Sequence, residues 1–235
     1  MSKLLIKEKE IVTPGEALAE GMDYLPGPYT YRQDNKIYSK VIGLVSLSGR
    51  AIKITPLSGS YLPKVNDKII GKVIDIMISG WRIDTNTAYP AVLNIKDATS
   101  RYIRKEEDLS KILAIGDYVI AKITRVTSQN LIDLSMREPG LHKITGGRII
   151  KINSQKVPRV IGREGSMITL IKKKTKCDVT VGQNGLVWIK GSPEMEYLTE
   201  QAIKMIEEKS HQEGLTEKIE AVSYTHLTLP TIYSV

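Results

Sequence analysis

The feature that most constrains the fold of this chain is a turn with a glycine at each end, Gly162-Arg163-Glu164-Gly165. Helical signals precede the turn in residues 154–161 and follow it in residues 166–176. Because glycine has no Cβ atom, the backbone at such a turn can approach another backbone closely. Strand and helix signals on both sides complete the order βααββα, so residues 139–220 are predicted to form one α+β domain.

The order of elements and the turn together predict a KH domain, a module that binds single-stranded RNA. Ser166 is predicted to cap the second helix, whose free N–H groups and dipole attract phosphate. The predicted RNA contacts of this domain are Ile161, Gly162, Arg163, Glu164, Gly165, Lys172, Lys173 and Lys174. The alternative is a tight corner between two helices with a solvated lysine face. Glu164 weakens the predicted phosphate clamp, because it places an acid where phosphates would lie.

The positive charge of the chain is concentrated around this turn. The whole chain carries a formal net charge of +8, and residues 139–190 hold eleven Lys and Arg residues against two acids. Residues 191–220 reverse the balance, with three Lys residues against eight acids. A basic surface attracts polyanions by releasing their counterions, so the distribution favours a nucleic-acid partner.

Two β-rich segments precede the α+β domain. In residues 1–62, the β-branched runs 37–47 and 50–54 are separated by Ser48-Gly49, which predicts a hairpin. Residues 63–138 contain five short strand signals, which predict a five-stranded OB barrel. The chain is thus predicted to be multi-domain, mainly β plus α+β, with a small N-terminal β domain, an OB-fold barrel and a C-terminal KH domain.

OB barrels bind single strands on one face through base stacking and basic side chains. The predicted contacts on or beside the strands are Trp81, Arg82, Asn94, Lys122, Arg125 and Arg137, and a basic loop adds Arg101, Tyr102, Arg104 and Lys105. Each has a plainer alternative. In the alternative interpretation, Trp81 is a core residue, Arg137 is an ordinary surface charge, and Arg104 and Lys105 pair with the acids at 106–108.

The middle segment resembles the S-one RNA-binding domain, an OB-fold repeat named after the ribosomal protein. The clearest matches are Gly116-Asp117-Tyr118-Val119 and Leu134-Ser135-Met136-Arg137. Arg82 stands where the family usually has an aromatic residue, Asn94 stands where it often has His, and the polar insertion 85–90 separates two strands. Phosphate contact by Arg and Lys is therefore favoured over base stacking on this face.

The order of the three modules resembles the RNA-binding cap subunit of the exosome, the ribosomal-RNA-processing protein four family, in its short archaeal form. The matching segments are Val12-Thr13-Pro14-Gly15-Glu16, Gly27-Pro28-Tyr29-Thr30 and Gly182-Gln183-Asn184-Gly185. Polynucleotide phosphorylase instead has KH before S-one, and Nus-type elongation factors have two KH domains after S-one. The resemblance covers residues 5–215.

The resemblance implies an assembly and a role. Three cap subunits sit on a hexameric ring of phosphorolytic RNases, and the N-terminal domain docks on that ring. The S-one domains surround a pore through which the 3′ end of single-stranded RNA is guided for degradation and processing. The implied function is a non-catalytic, RNA-binding subunit. The alternative is a stand-alone RNA-binding transcription or translation factor.

Other classes are disfavoured by what the sequence lacks. One cysteine, Cys177, and three scattered histidines do not make a zinc site, so no metal and no cofactor is expected. There is no Walker-type loop and no nucleophile motif, so the chain is not expected to be an enzyme. No uncharged apolar run reaches the roughly 20 residues that span a bilayer, so no membrane contact and a cytoplasmic location are expected. Residues 221–235 contain no Asp, Glu, Lys or Arg and are predicted to be a non-native or disordered tail.

Overall fold

The protein is described here by a computed structural model over residues 3–99 and 108–208. The chain divides into two compact units between Gly59 and Ser60. The first unit is built from β-strands, and the second contains a barrel followed by an α+β domain. The short helix predicted within residues 101–111 lies mostly outside the described residues, and the predicted tail 221–235 lies wholly outside them.

Eight short strands form the first unit. They are β1 (Lys3–Leu4), β2 (Ile11–Val12), β3 (Ala17–Glu20), β4 (Leu25–Pro26), β5 (Thr30–Gln33), β6 (Lys36–Ser39), β7 (Gly43–Ser48) and β8 (Ala51–Pro56). They make two sheets, with orders β1-β3-β6-β5 and β2-β7-β8-β4, and the predicted hairpin at Ser48-Gly49 joins β7 to β8. The β-branched run 37–47 contributes to two strands, β6 and β7, rather than to one. The Ser39 hydroxyl donates to the Val41 carbonyl (2.5 Å), and this turn separates β6 from β7.

The predicted OB barrel is confirmed. Its strands are β9 (Lys68–Met77), β10 (Gly80–Asp84), β11 (Ala91–Asn94), β12 (Tyr118–Val126) and β13 (Ile132–Ser135), with a short helix α1 (Ile95–Ala98) after β11 and a 3-10 turn at Leu109–Lys111. They close in the order β10-β11-β13-β12-β9. Alternate side chains fill the interior, where Ile83, Leu93, Ile123 and Leu134 are fully buried.

The predicted KH fold is confirmed as well. Its elements are β14 (Arg148–Lys151), α2 (Val157–Ile161), α3 (Ser166–Thr175), β15 (Asp178–Val181), β16 (Leu186–Lys190) and α4 (Pro193–Glu208), in the order βααββα. The antiparallel sheet has the order β14-β16-β15. The segment 154–161 is not one helix, because Ser154–Lys156 form a 3-10 turn before α2 begins.

The sheet of the KH domain is covered on both faces. Ile189 belongs to the core that this sheet shares with α2, α3 and α4. On the opposite face, Trp188 packs with Ile70 and Ile120, which point outward from the barrel. Because Ile69 points into the barrel, β9 is buried on both sides at Ile69 and Ile70, and β12 is buried in the same way from Val119 to Ala121. Segments covered on both faces carry consecutive apolar residues, as these two short segments do.

The loop between β15 and β16 fixes the KH domain to the barrel. Asn184 is 1% exposed, and its Nδ2 donates to the carbonyls of Ile70 (2.7 Å) and Thr85 (2.8 Å). Its Oδ1 accepts from the Ile70 N–H (3.3 Å). A Cβ atom on Gly182 would lie 2.9 Å from the Ile70 nitrogen, so glycine is needed for this close approach. The barrel and the KH domain are therefore joined by buried polar bonds as well as by apolar packing.

Candidate nucleic-acid interface

The two glycines of the KH turn serve different purposes. Gly162 and Gly165 both have left-handed backbone, with φ of +76° and +78°. A Cβ atom on Gly162 would lie 2.7 Å from the Cβ of Met167, so packing excludes a side chain there. A Cβ atom on Gly165 would meet nothing closer than Ile168 at 3.9 Å. The open side of the turn, where a ligand backbone could approach, is therefore at Gly165.

The N-terminus of α3 differs from the prediction. Gly165 occupies the cap position, and Ser166 is already helical, with φ −57° and ψ −45°. The predicted Ser166 cap is therefore wrong, because a side chain in the first helical position does not replace the cap residue that precedes it. The first turn of α3 has no side-chain cap, and the Ser166 N–H donates to the Arg163 carbonyl. Glu164 lies exposed in the turn that precedes this helix.

The predicted lysines lie at the other end of α3. Lys172, Lys173 and Lys174 occupy its last turn, and at about 1.5 Å rise per residue Lys173 is about 10 Å along the axis from Ser166. Lys172 and Lys173 are exposed, and Lys174 is half-buried. Cations at this end stabilise the helix dipole. The three lysines lie far from the turn, so the positive charge closest to the turn is that of Arg163. Ile161, before the turn, packs against the KH core.

The second candidate surface is the outer surface of β10, β11, β13 and β12, here called the barrel face. Strand register places Arg82 opposite Val92, Val92 opposite Asp133, and Asp133 opposite Arg125. Asn94 ends β11 on the same face and is half-buried. The structure therefore brings together Arg82, Asn94, Lys122 and Arg125 on one side of the barrel, with Arg137 just beyond the end of β13.

Three cations at the barrel face are paired with carboxylates. Arg82 lies 3.5 Å from Asp75, and Lys122 lies 2.6 Å from Glu138. The Arg137 Nε is 4.0 Å from Asp97 and donates to a nearby backbone carbonyl at 2.6 Å. These contacts leave the face nearly balanced in charge, although Arg82 and Arg137 are about half exposed.

Trp81 does not lie on the barrel face. Its side chain is 0% exposed in the barrel core, and its Nε1 donates to the Leu113 carbonyl at 2.9 Å. The predicted RNA contact at Trp81 is therefore wrong, because an indole enclosed on all sides cannot stack on a base. Arg101, Tyr102, Arg104 and Lys105 lie outside the described residues. Asp108, which follows that loop, accepts hydrogen bonds from the Ser110 hydroxyl and N–H, which lower the pKa of its carboxyl.

One residue of this region was missed at the level of sequence. Lys68, exposed at the start of β9, lies directly opposite Lys122 in the barrel register. The two residues are far apart in the chain, and only the pairing of β9 with β12 brings them together. Among the described residues, no group of three His, Cys, Asp or Glu side chains is arranged to hold a metal ion. Within the same ranges, no helix is long and apolar enough to span a membrane.

Comparison with known proteins matches two segments of the chain to family models and finds several relatives that cover most of the chain. Residues 9–58 match the family model of the exosome RNA-binding protein RRP4 N-terminal domain, and residues 147–195 match a KH domain. Exosome complex component Rrp4 of Methanothermus fervidus is 42% identical over 92% of this chain and 96% of its own length. The protein of the same name from Pyrococcus furiosus is 43% identical over 93% of this chain and 84% of its own length. A crystal structure assigned as an exosome complex RNA-binding protein aligns with a TM-score of 0.66 and 32% identity, over 72% of this chain and 98% of that one.

Proposed function

The chain belongs to the Rrp4 family of archaeal exosome components, and we propose that it is a non-catalytic cap subunit that captures single-stranded RNA for a 3′-to-5′ exoribonuclease. The observation that carries the proposal is the union of two RNA-binding folds in one unit, joined by the buried bonds of Asn184. A strand bound at the KH turn is then held at a fixed distance from the barrel face, whereas a flexible linker would let that distance vary.

The chemistry of both surfaces favours contacts with phosphates over reading of bases. The open side of Gly165 exposes backbone. Surface ion pairs hold Arg82, Lys122 and Arg137, and each pair of this kind is worth about 0.2–1 kcal/mol. A phosphate can replace such a carboxylate at little cost, because a charge-assisted hydrogen bond is formed again. Trp81 is buried and the chain contains no Phe, so the barrel face offers no Trp or Phe ring on which a base could stack. Weak sequence preference and a steep salt dependence are expected.

For the partners, we infer a hexameric ring of phosphorolytic RNase subunits capped by three copies of this chain, with the first unit as the docking element. Support comes from the family and from apolar side chains on the surface of that small unit. Leu5, Ile11, Met22 and Leu25 are 42%, 59%, 70% and 58% exposed. Exposed apolar surface of this kind commonly marks protein contacts. Three weak RNA sites around one pore would raise the effective concentration of the strand and guide its 3′ end inward.

We also propose that the complex works in the cytoplasm. The single cysteine, Cys177, is buried at 3% exposure and is a free thiol, which fits a reducing compartment. A chain with one cysteine has no intramolecular disulfide that a reducing compartment could break.

The RNA-binding part of the proposal is tested with the purified full chain and fluorescein-labelled oligoadenylate of about 20 nucleotides, longer than the site of one OB fold. Anisotropy titrations over a series of KCl concentrations should give a log Kd that rises linearly with log salt. The same RNA, incubated with the chain with and without inorganic phosphate, should keep its length. Shortening by the chain alone would refute the non-catalytic assignment.

Docking is tested by co-purification with the subunits of a phosphorolytic RNase ring. Deletion of residues 1–59 should abolish association with the ring and leave RNA affinity unchanged. The deletion stops at Gly59 because Tyr61 packs in the barrel core and donates to Asp67 at 2.6 Å. RNA binding by a chain that never associates with ring subunits would instead favour the stand-alone factor.

A further inference from the structure

Lys68 and Lys122 form a pair of like charges on the outside of the barrel. The register of β9 and β12 places them directly opposite each other, and the next pair, Ile69 and Ala121, points into the core. Both lysines therefore project outward, on the same face. Like charges directly opposite in a sheet are destabilising. The pair is thus not explained by the stability of the barrel.

The charge of this pair is only half neutralised. Lys122 Nζ lies 2.6 Å from the Glu138 carboxylate. Within residues 3–99 and 108–208, no carboxylate forms an ion pair with Lys68. Its Nζ extends instead toward Gly140, where an added Cβ atom would lie 3.7 Å away. Lys68 therefore leaves one uncompensated positive charge at this position.

Lys72 lies on the same strand and the same face, with different surroundings. Its register partner in β12 is Tyr118, and its Nζ lies 5.8 Å from the centre of that ring. Its register partner in β10 is Asp84, an exposed acid. Lys72 thus has an aromatic ring and a carboxylate beside it, whereas Lys68 has a second lysine. The comparison provides a control of the same residue type, strand and direction.

Lys68 also marks the place where the KH domain meets the barrel face. Its carbonyl accepts from the N–H of Gln183 at 2.8 Å, in the loop that carries Asn184. On the other side, Lys122 is the register partner of Ser135 in β13, which belongs to the barrel face. The uncompensated charge is therefore located at the junction of the two candidate RNA surfaces.

We propose that Lys68, with Lys122 beside it, binds a phosphate of single-stranded RNA at the junction between the barrel face and the KH domain. This inference rests on the proposed function and adds a binding residue that bridges its two surfaces. A phosphate there neutralises the lysine pair and removes the repulsion between the two ammonium groups. The repulsion in the free protein thus favours binding.

The test compares Lys68→Gln with Lys72→Gln in the full chain, using the labelled oligoadenylate and the KCl series. One phosphate contact on a single strand contributes a slope of about −0.7 in log affinity against log salt, or about fivefold in affinity at 0.1 M relative to 1 M. Lys68→Gln should weaken binding about fivefold at 0.1 M and reduce the slope by about 0.7. Lys72→Gln should leave the affinity and the salt slope unchanged. Lys68→Arg, which keeps the positive charge, should bind RNA as the wild-type chain does. The thermal midpoint of Lys68→Gln should be unchanged or higher, since a repulsive pair is removed.

Each other outcome counts against the inference in a different way. Equal losses in Lys68→Gln and Lys72→Gln would mean that only the overall charge matters, and would overturn it. Wild-type affinity in Lys68→Gln would overturn it and leave the proposed function intact. Failure of the wild-type chain to bind the RNA at any salt concentration would overturn both.

Discussion

Asn184→Ala should separate the stability of the KH domain from that of the barrel. The substitution removes two donated bonds, of 2.7 and 2.8 Å, and one accepted bond of 3.3 Å, all at a position 1% exposed. At about 1 kcal/mol for each bond, the free energy of unfolding falls by about 3 kcal/mol. With a urea slope of about 2 kcal/mol per molar, the midpoint of unfolding falls by about 1.5 M.

The two tryptophans of the chain report on the two sides of this interface. Trp188 lies between the KH sheet and the barrel, and Trp81 lies in the barrel core. Urea titrations of Asn184→Ala combined with Trp81→Phe or with Trp188→Phe therefore follow each site alone. Because each tryptophan substitution has its own effect on stability, each double variant is compared with the same tryptophan variant that retains Asn184. Asn184→Ala should lower the urea midpoint followed by Trp188 more than the urea midpoint followed by Trp81.

Two further variants make the result specific. Asn184→Asp keeps the volume and loses both donors, so it should destabilise at least as much as alanine. Asn153→Ala removes an amide that accepts from the Gln155 N–H within the KH domain, and it should lower the urea midpoints followed by the two tryptophans equally. A change below about 0.5 kcal/mol in Asn184→Ala would refute the reasoning, because bonds of that kind would then add nothing to the interface.

Three other predictions concern the turn, the barrel core and the acid side of the pH profile. Gly162→Ala should lower the thermal midpoint more than Gly165→Ala, because its Cβ atom would lie 2.7 Å from that of Met167, whereas Gly165→Ala should chiefly reduce RNA affinity in the anisotropy assay. Trp81→Phe should lower the free energy of unfolding by about 2 kcal/mol in urea and leave RNA affinity unchanged, and a loss of affinity in a folded variant would contradict its burial. Hydrogen bonds, chiefly from Lys204, hold the pKa of Glu200 below its ordinary value. The Glu200 carboxylate therefore stabilises the fold at pH values above its unfolded pKa of about 4.3. This stabilisation is lost as the pH falls through the pKa of Glu200 in the folded protein. Urea unfolding of Glu200→Gln should therefore depend less on pH below about 4.3 than wild type does, and an equal dependence would exclude this role.

The parts of the fold that the sequence predicts well are those set by local signals. The glycine turn and the helical spacing around it predict the KH order, and turn residues separate the five strands of the barrel. Alternation also predicts the direction of side chains in β10, where Trp81 and Ile83 point inward while Arg82 points outward. The prediction of an RNA contact at Trp81 gave more weight to its aromatic character than to this alternation.

Features that depend on contacts between distant segments were not predicted. Asn184 reads as an ordinary turn residue, and its burial depends on Ile70, which is 114 residues away. Lys68 becomes a partner of Lys122 only through strand register. The prediction of a Ser166 cap was wrong for a local reason. Gly165, in the left-handed conformation, takes the cap position, so the helix begins at Ser166 itself. The predicted RNA contacts at Arg82, Asn94, Lys122, Arg125 and Arg137 stay predictions.

The sheet packing between Trp188 and the pair Ile70 and Ile120 has a consequence for how this chain can vary. A KH domain taken from another protein would bring a sheet surface suited to water and would leave two isoleucines of the barrel uncovered. A change in the size of Trp188 would likewise need a matching change on β9 or β12. The two domains are therefore expected to be exchanged between proteins, and to diverge within a lineage, as one inherited block.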